Sequence, residues 1–259
     1  MNPHGIYTLV SRGNTLDRKM ETLANNLANV STIGYKEDQP AFQQLFSTTM
    51  GVASESDEES FAHHEHLAPY TGVGTFYVST ADMGKNFAQG RLIRTGNALD
   101  FSVVGDQGFF SIDTPQGERF TRAGNFQLNQ NGQLVTQDGY VVNGKEGPLN
   151  LKGDKIEMVE DGSLLVDGKP AGGLKLVSFA TPEHLQKMGG NYFAPVSEEN
   201  APRVLEDVKL IQGSVEGSNV DTMKEMVRMI EANRAYTQAQ KAIRSADEMN
   251  RQAISLAQV

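Results

Sequence analysis

The stretch at residues 6–30, IYTLVSRGNTLDRKMETLANNLANV, decides how the rest of the chain is read. Its apolar positions are Ile6, Leu9, Leu16, Met20, Leu23, Leu27 and Val30, with Gly13 in the one small slot. The steps between them alternate three and four, the seam of a helix that lies against another helix. At 1.5 Å per residue such a helix is roughly 37 Å long. The far end of the chain carries a second seam of the same kind: Met229, Ala232, Tyr236, Ala239, Ile243, Ala246, Asn250, Ala253 and Ala257. The segment between the two ends has a different composition. The ends are therefore expected to meet, with the middle as an insertion.

Asn25, Asn26 and Asn29 flank the first seam, and Asn is a poor interior helix residue. Two readings stand: a fraying helix end, or side chains that hydrogen-bond to neighbouring helices and fix register. Gly34 can serve as the helix terminator. The last helix begins after Gly213 and Gly217, with Ser218 or Asn219 as its cap. It carries apolar residues on more than one face, since Met226 and Val227 lie off the seam through Met229, and Ile230 is a further assembly residue on it. That is more apolar surface than a two-helix hairpin buries, and it favours packing against further helices.

The middle divides at about residue 90. Before it, Phe42, Leu45 and Phe46 suggest a short amphipathic turn, residues 54–60 form an acidic loop, and residues 73–80 alternate as a strand. His63, His64 and His66 sit beside Glu65, but adjacent positions in a loop do not converge on a metal ion. From about residue 90 to 212 the punctuation changes. Asn131-Gly132, Asp138-Gly139, Asn143-Gly144, Asp161-Gly162 and Asp167-Gly168 are hairpin-type turns. Short strand-like pieces lie among them, at 101–104, 108–112, 119–121, 125–128, 133–135, 140–142, 156–159, 163–166 and 174–179. Strands this short and this frequent indicate an all-β domain. Thr181-Pro182 reads as the cap and first residue of a helical turn. The expected class is α+β, with long terminal helices forming a coiled-coil-like domain around an inserted all-β domain. The expected divisions are 1–34, 35–89, 90–212 and 213–259.

Composition narrows the function. With 32 acidic against 23 basic residues the net charge is -9, and no basic cluster suits nucleic acid. There is no cysteine, so disulfides and thiolate metal sites are excluded. No run of about 18 apolar residues spans a membrane. The N-terminus lacks the basic and apolar regions of a Sec signal. Catalytic fingerprints are missing as well: no nucleophile elbow, HExxH, P-loop or dinucleotide fingerprint. Acidic residues concentrate in turns and on outer helix faces. No enzyme, cofactor or metal is expected.

The run from Leu23 to Lys36, LANNLANVSTIGYK, resembles the N-terminal signature of the bacterial flagellar rod and hook proteins. Gly90-Arg91-Leu92 through Thr95-Gly96-Asn97, Asp106-Gln107-Gly108-Phe109-Phe110, and Phe120-Thr121-Arg122-Ala123-Gly124 before Asn125-Phe126 are similar to the family's central β-domain. Gly217-Ser218-Asn219-Val220, leading through Met226, Met229 and Ile230 to Tyr236, is similar to its C-terminal signature. Within the family, Gly5-Ile6-Tyr7 and Gly173-Leu174-Lys175-Leu176-Val177 are most like the proximal-rod branch, with the distal-rod branch close. The resemblance implies a structural subunit of the basal-body rod, self-assembling with other rod subunits into a helical shaft that carries torque to the hook. It implies type III export without a cleaved signal, a place in the periplasm, and terminal helices lining the inner layer.

Overall fold

The computed structural model describes residues 3–40, 42–48, 74–80, 84–153, 155–159, 162–197, 200–206 and 209–257. Side chains at 3–9, 42–48 and 74–80 and at 250, 253, 254, 256 and 257 lie outside the description. So do the acidic run at 54–60 and His63, His64 and His66. The order is helix, strands, helix: α1 is Pro3–Ala28, α2 is Thr222–Ala257, and every strand lies between them. The chain is α+β.

The chain divides into two units, Met1–Glu21, Pro40–Asp82 and Ile230–Val259 in one, and Thr22–Gln39 and Met83–Met229 in the other. In the first, Phe42–Thr48 pairs antiparallel with Gly74–Thr80, from Phe42↔Thr80 to Thr48↔Gly74. The expected amphipathic turn at Phe42, Leu45 and Phe46 is therefore a strand. Its partner lies beyond any local window, which is why the segment reads as a turn on its own. On α2, Ala232, Ala239 and Ala246 form a buried row with a spacing of seven.

The second unit is built on a ten-stranded sheet, ordered Leu185–Lys187, Tyr192–Pro195, Gly117–Thr121, Phe109–Thr114, Val141–Gly144, Leu134–Val135, Gln127–Leu128 along its main path. Phe109–Thr114 is its axis. One end of that strand pairs with Leu176–Ser178 and the other with Val141–Gly144, so one strand ties two halves of the sheet together. Its residues are buried except Asp113. Two apolar clusters form on it. One gathers Phe101, Phe110, Phe126, Leu134 and Leu164, and the other Phe87, Phe109, Phe120, Phe179 and Phe193. In the second cluster Phe87 meets Phe109 and Phe193 edge-on, at 5.4 and 5.2 Å between ring centres. That geometry suits the ring quadrupoles.

A three-stranded sheet, Ile156–Met158, Ser163–Val166 and Lys169–Gly173, packs beside it. Asp167 and Gly168 join two of its strands with φ of 51° and 77°, the type I′ turn that the dipeptide predicts. Asn143-Gly144 behaves differently. Both residues belong to Val141–Gly144, and the turn falls on Lys145 and Glu146. Thr181 makes no side-chain cap for the 3-10 helix Pro182–His184. Its backbone is held instead by Asn200, which accepts from Thr181 N–H and donates to Thr181 O. Three strand pairs close the unit: Glu37–Gln39 with Gly84–Asn86, Leu92–Arg94 with Ser214–Glu216, and Phe101–Val103 with Leu210–Gln212. They bring the end of α1, the start of α2 and the sheet to one place.

Candidate functional site

The site begins where α1 stops. Asn29 donates through Nδ2 to Asn25 O and Asn25 Oδ1, both at 2.9 Å, which occupies acceptors at the helix end locally. Gly34 then turns the chain with φ +70°, and its N–H donates to Glu216 O at 2.7 Å. A Cβ at Gly34 would lie 2.3 Å from Ala123 N, so only glycine lets this loop rest on the backbone at Arg122–Ala123. Gly34 is thus a docking residue six positions past the helix, rather than the terminator expected of it.

Asn26 is fully buried and uses its whole hydrogen-bonding capacity. Its Nδ2 donates to Asp38 O (2.9 Å) and to Glu225 Oε2 (3.1 Å). Its Oδ1 accepts from Asp38 N–H and from the Tyr35 hydroxyl, both at 3.0 Å. One amide so joins α1, the connector after it and the first turn of α2. Asn26 thus hydrogen-bonds to the other helix, whereas the side chain of Asn29 donates within its own helix end. Arg228 donates to Glu225 at 2.7 Å and Glu37 at 3.0 Å, which completes the tie to α2. Lys187 donates to Asp38 Oδ2 at 2.6 Å and sits 4.0 Å from the centre of the Tyr35 ring. Burial, then the Asp38 charge, pushes the Tyr35 hydroxyl well above its ordinary range. Replacing Asn26 with Ala leaves the Asp38 N–H and the Glu225 carboxylate short of partners. The expected loss is about 3 kcal/mol, read as a lower midpoint in urea unfolding with an unchanged slope.

Beside this lies a buried ion triad. Lys36 Nζ donates to Glu216 Oε1 at 2.7 Å and to the carbonyls of Ala88 (2.9 Å) and Phe87 (3.2 Å). Arg122 Nη1 donates to Glu216 Oε2 at 3.3 Å and Gly105 O at 2.9 Å. Gly90 N–H is a further donor to Glu216. The three charged side chains are 0–1% exposed. Burial lowers the Lys36 pKa, opposed by Glu216 and reinforced by Arg122, and burial lowers that of Arg122. A buried ion pair adds little net stability over apolar packing, but it specifies one arrangement sharply. Chemically the triad is a lock: Lys36, Arg122 and Glu216 are held by one another and by the backbone at Gly90, Phe87, Ala88 and Gly105.

Asn219, expected to cap α2, turns inward. It accepts from Glu37 N–H and donates to Asn86 O and Ala88 O. Asp221 caps α2, accepting from the N–H groups of Met223 and Lys224. Of the residues expected on the helix seams, Leu23 and Asn26 are buried. Leu16, Met20, Leu27, Asn29, Val30, Met229, Tyr236 and Ile243 are half-buried, and Asn25 is exposed. Met226 and Ile230 are exposed on α2. The side chains of Ile6, Leu9 and Asn250 lie outside the described residues. Among the described residues no helix is long and apolar enough to cross a membrane, and no group of three His, Cys, Asp or Glu could hold a metal.

The segments that meet here are those that match known families. Residues 6–36 match the flagella basal body rod protein family, residues 103–166 the D1 domain of flagellar hook protein FlgE/F/G, and residues 211–256 the C-terminal region of flagellar basal body rod FlgEFG proteins. Over 255 residues the chain is 30% identical to flagellar basal-body rod protein FlgF of Mesorhizobium japonicum, covering 96% of this chain and 95% of that one. The chain belongs to the flagellar basal-body rod family. It is 34% identical to FlgG of Buchnera aphidicola subsp. Schizaphis graminum, with 89% and 90% of the two chains covered. Identity to FlgG of Bacillus subtilis is 30%, with 97% and 98% covered. The chain is accordingly a structural subunit of the basal-body rod, in a family that is structural rather than enzymatic. The rod-family signatures supply Asn26, Gly34, Tyr35, Lys36, Arg122 and Asn219, and their physical meaning is this junction.

Proposed function

We propose that the subunit assembles into a helical shaft by packing its terminal helices against those of neighbouring copies, in the manner of a coiled coil. In this reading the buried junction passes load between the helices and the β unit. The observation that carries it is a row on α2: Met223, Met226, Val227 and Ile230 are 70%, 39%, 54% and 54% exposed. They stand at i, i+3, i+4 and i+7, one continuous apolar stripe along one exposed face of the helix. Such a stripe marks an interaction surface. The buried row of Ala232, Ala239 and Ala246 supports close helix packing on another face. The seam residues Ile6, Leu9, Leu16, Met20, Leu23, Leu27, Val30, Tyr236, Ile243 and Asn250 belong to the same proposal. The division of labour among residues 1–34, 35–89, 90–212 and 213–259 belongs to it too.

The place in the rod that fits is the proximal segment, on Gly5-Ile6-Tyr7 and the run Gly173–Val177. Its partners are then copies of itself, other rod subunits and the type III export apparatus. It reaches the periplasm uncleaved and carries torque from motor to hook. Val227→Asp together with Ile230→Asp tests assembly. Both side chains are exposed, so the subunit's stability is expected to move by less than about 0.5 kcal/mol. Swimming is expected to be lost, because two charges would enter an apolar interface. Normal motility with a normally folded variant contradicts the proposal.

A further inference from the structure

We propose that the Nε/Nη2 edge of Arg122 is a binding site for one oxyanion, supplied either by the Asp106 carboxylate or by a small oxyanion from solution. Arg122 is fully buried, yet only its Nη1 has acceptors, Gly105 O and Glu216 Oε2. Among the described residues Nε and Nη2 are buried and make no hydrogen bond. The Phe109 ring, 5.0 Å from Cζ, covers one face of the guanidinium but accepts nothing along this edge. Buried donors in native proteins are paired as a rule, so an unpaired fork points to a group that belongs there.

Charge points the same way. Lys36 and Arg122 bring two positive charges to a place where, among the described residues, Glu216 is the one carboxylate in ion-pair contact. The triad is left with one positive charge in excess and no exposure to water. The side-on fork of an arginine matches a carboxylate or phosphate-like oxyanion with two parallel bonds. Asp106 is the chain's own candidate. It follows Gly105, whose carbonyl Arg122 already holds, and its charge acts on both Arg122 and Lys36. It makes no ion pair within 4 Å among the described residues and is exposed in the loop between Phe101–Val103 and Phe109–Thr114. With Asp106 as the source, a rearrangement of this loop would carry its carboxylate onto the fork. A tethered carboxylate acts at an effective concentration in the millimolar range or above, so it excludes dilute anions.

Selenate, an oxyanion that scatters anomalously, distinguishes the two sources in crystals and titrations of the full-length protein. With Asp106 as the source, the wild type shows that carboxylate on Nε and Nη2 and no selenium peak. Asp106→Asn then admits selenate at the same place, with affinity raised at least tenfold. With a solution anion as the source, the wild type already shows the selenium peak, and Asp106→Asn leaves it unchanged. Arg122→Lys, which keeps the charge and removes the fork, abolishes binding in either case. Should that variant fail to fold, the Asp106→Asn comparison decides alone. Water alone against the fork in both proteins, with no selenate bound at any concentration, overturns the proposal.

Discussion

Glu216→Gln is expected to be the most damaging single substitution in the β unit. It keeps the shape of the side chain and removes the one carboxylate that Lys36 and Arg122 share. Breaking a buried pair by neutralising one partner costs about 3–5 kcal/mol, because the remaining charge stays buried and uncompensated. Here two cations are left. At roughly 2–4 °C per kcal/mol for a chain of this size, the melting temperature should fall by about 10 °C. The pH dependence identifies the cause. Burial holds the folded Lys36 below its unfolded value of 10.5, so between the two values the unfolded chain binds more protons. Stability therefore rises with pH through that window. Loss of Glu216 removes the charge that raises the Lys36 pKa, which widens the window downward. The gap between variant and wild type should narrow as pH goes from about 7 towards about 10. Above its ordinary value of 10.0, Tyr35 acts in the opposite sense, because its raised pKa keeps the folded state protonated after the unfolded state has ionised. A gap that is constant across this range would place the damage elsewhere.

Gly34→Ala is expected to come second. The residue has φ +70°, where a Cβ costs about 1–2 kcal/mol. The same Cβ would press on the backbone of Ala123 at 2.3 Å and Arg122 at 2.6 Å, and backbone cannot move aside as a flexible side chain can. Overpacking of that kind adds about 1–3 kcal/mol. The total, about 2–5 kcal/mol, would lift the loop that carries Tyr35 and Lys36 away from Arg122. Gly13→Ala is the control. Nothing lies within 4 Å of a Cβ there, and the residue is inside α1. In the free subunit that change should move stability by no more than about 1 kcal/mol. Equal effects at the two sites, measured by thermal unfolding, would remove the close backbone approach as the explanation.

Both helices and most hairpins were legible in the sequence, because their signals are local. A three-and-four spacing marks α1 within a few residues of Pro3–Ala28, and Asp167-Gly168 marks its turn from two residues. The failures share the opposite property. Phe42–Thr48 is a strand because of a partner some thirty residues away. Asn143-Gly144 has the chemistry of a turn but is held in a strand by Asp113 and Ile112, through its neighbours Val141 and Val142. The junction was half visible. Asn26, Tyr35, Lys36, Arg122 and Asn219 stand in the signatures, but Glu216, Asp38, Glu225 and Lys187 do not stand out. Lys36 and Glu216 are 180 positions apart, and a charged residue in a strand reads as solvated until its partner is found. Ser214–Glu216 is buried at every position, but that follows from its pairing with the distant Leu92–Arg94 and leaves no local mark.

Hydrogen exchange on the unassembled full-length subunit tests the central claim most directly, that the junction makes both helix ends part of the β unit. Asn26, Glu225 and Arg228 tie residues 22–28 of α1 and 222–229 of α2 into its hydrogen-bond network. Beyond them, among the described residues, the side-chain hydrogen bonds of α2 are local, Thr237 to Asn233 and Ser255 to Gln252. A helix whose fully buried face is the alanine row Ala232, Ala239 and Ala246 gains little from packing and is marginal in water. The expected result is slow exchange at 22–36 and 225–229, comparable to Phe109–Thr114, and exchange within seconds at 6–21 and 233–257. Exchange at 22–36 as fast as at 6–21 would contradict the account.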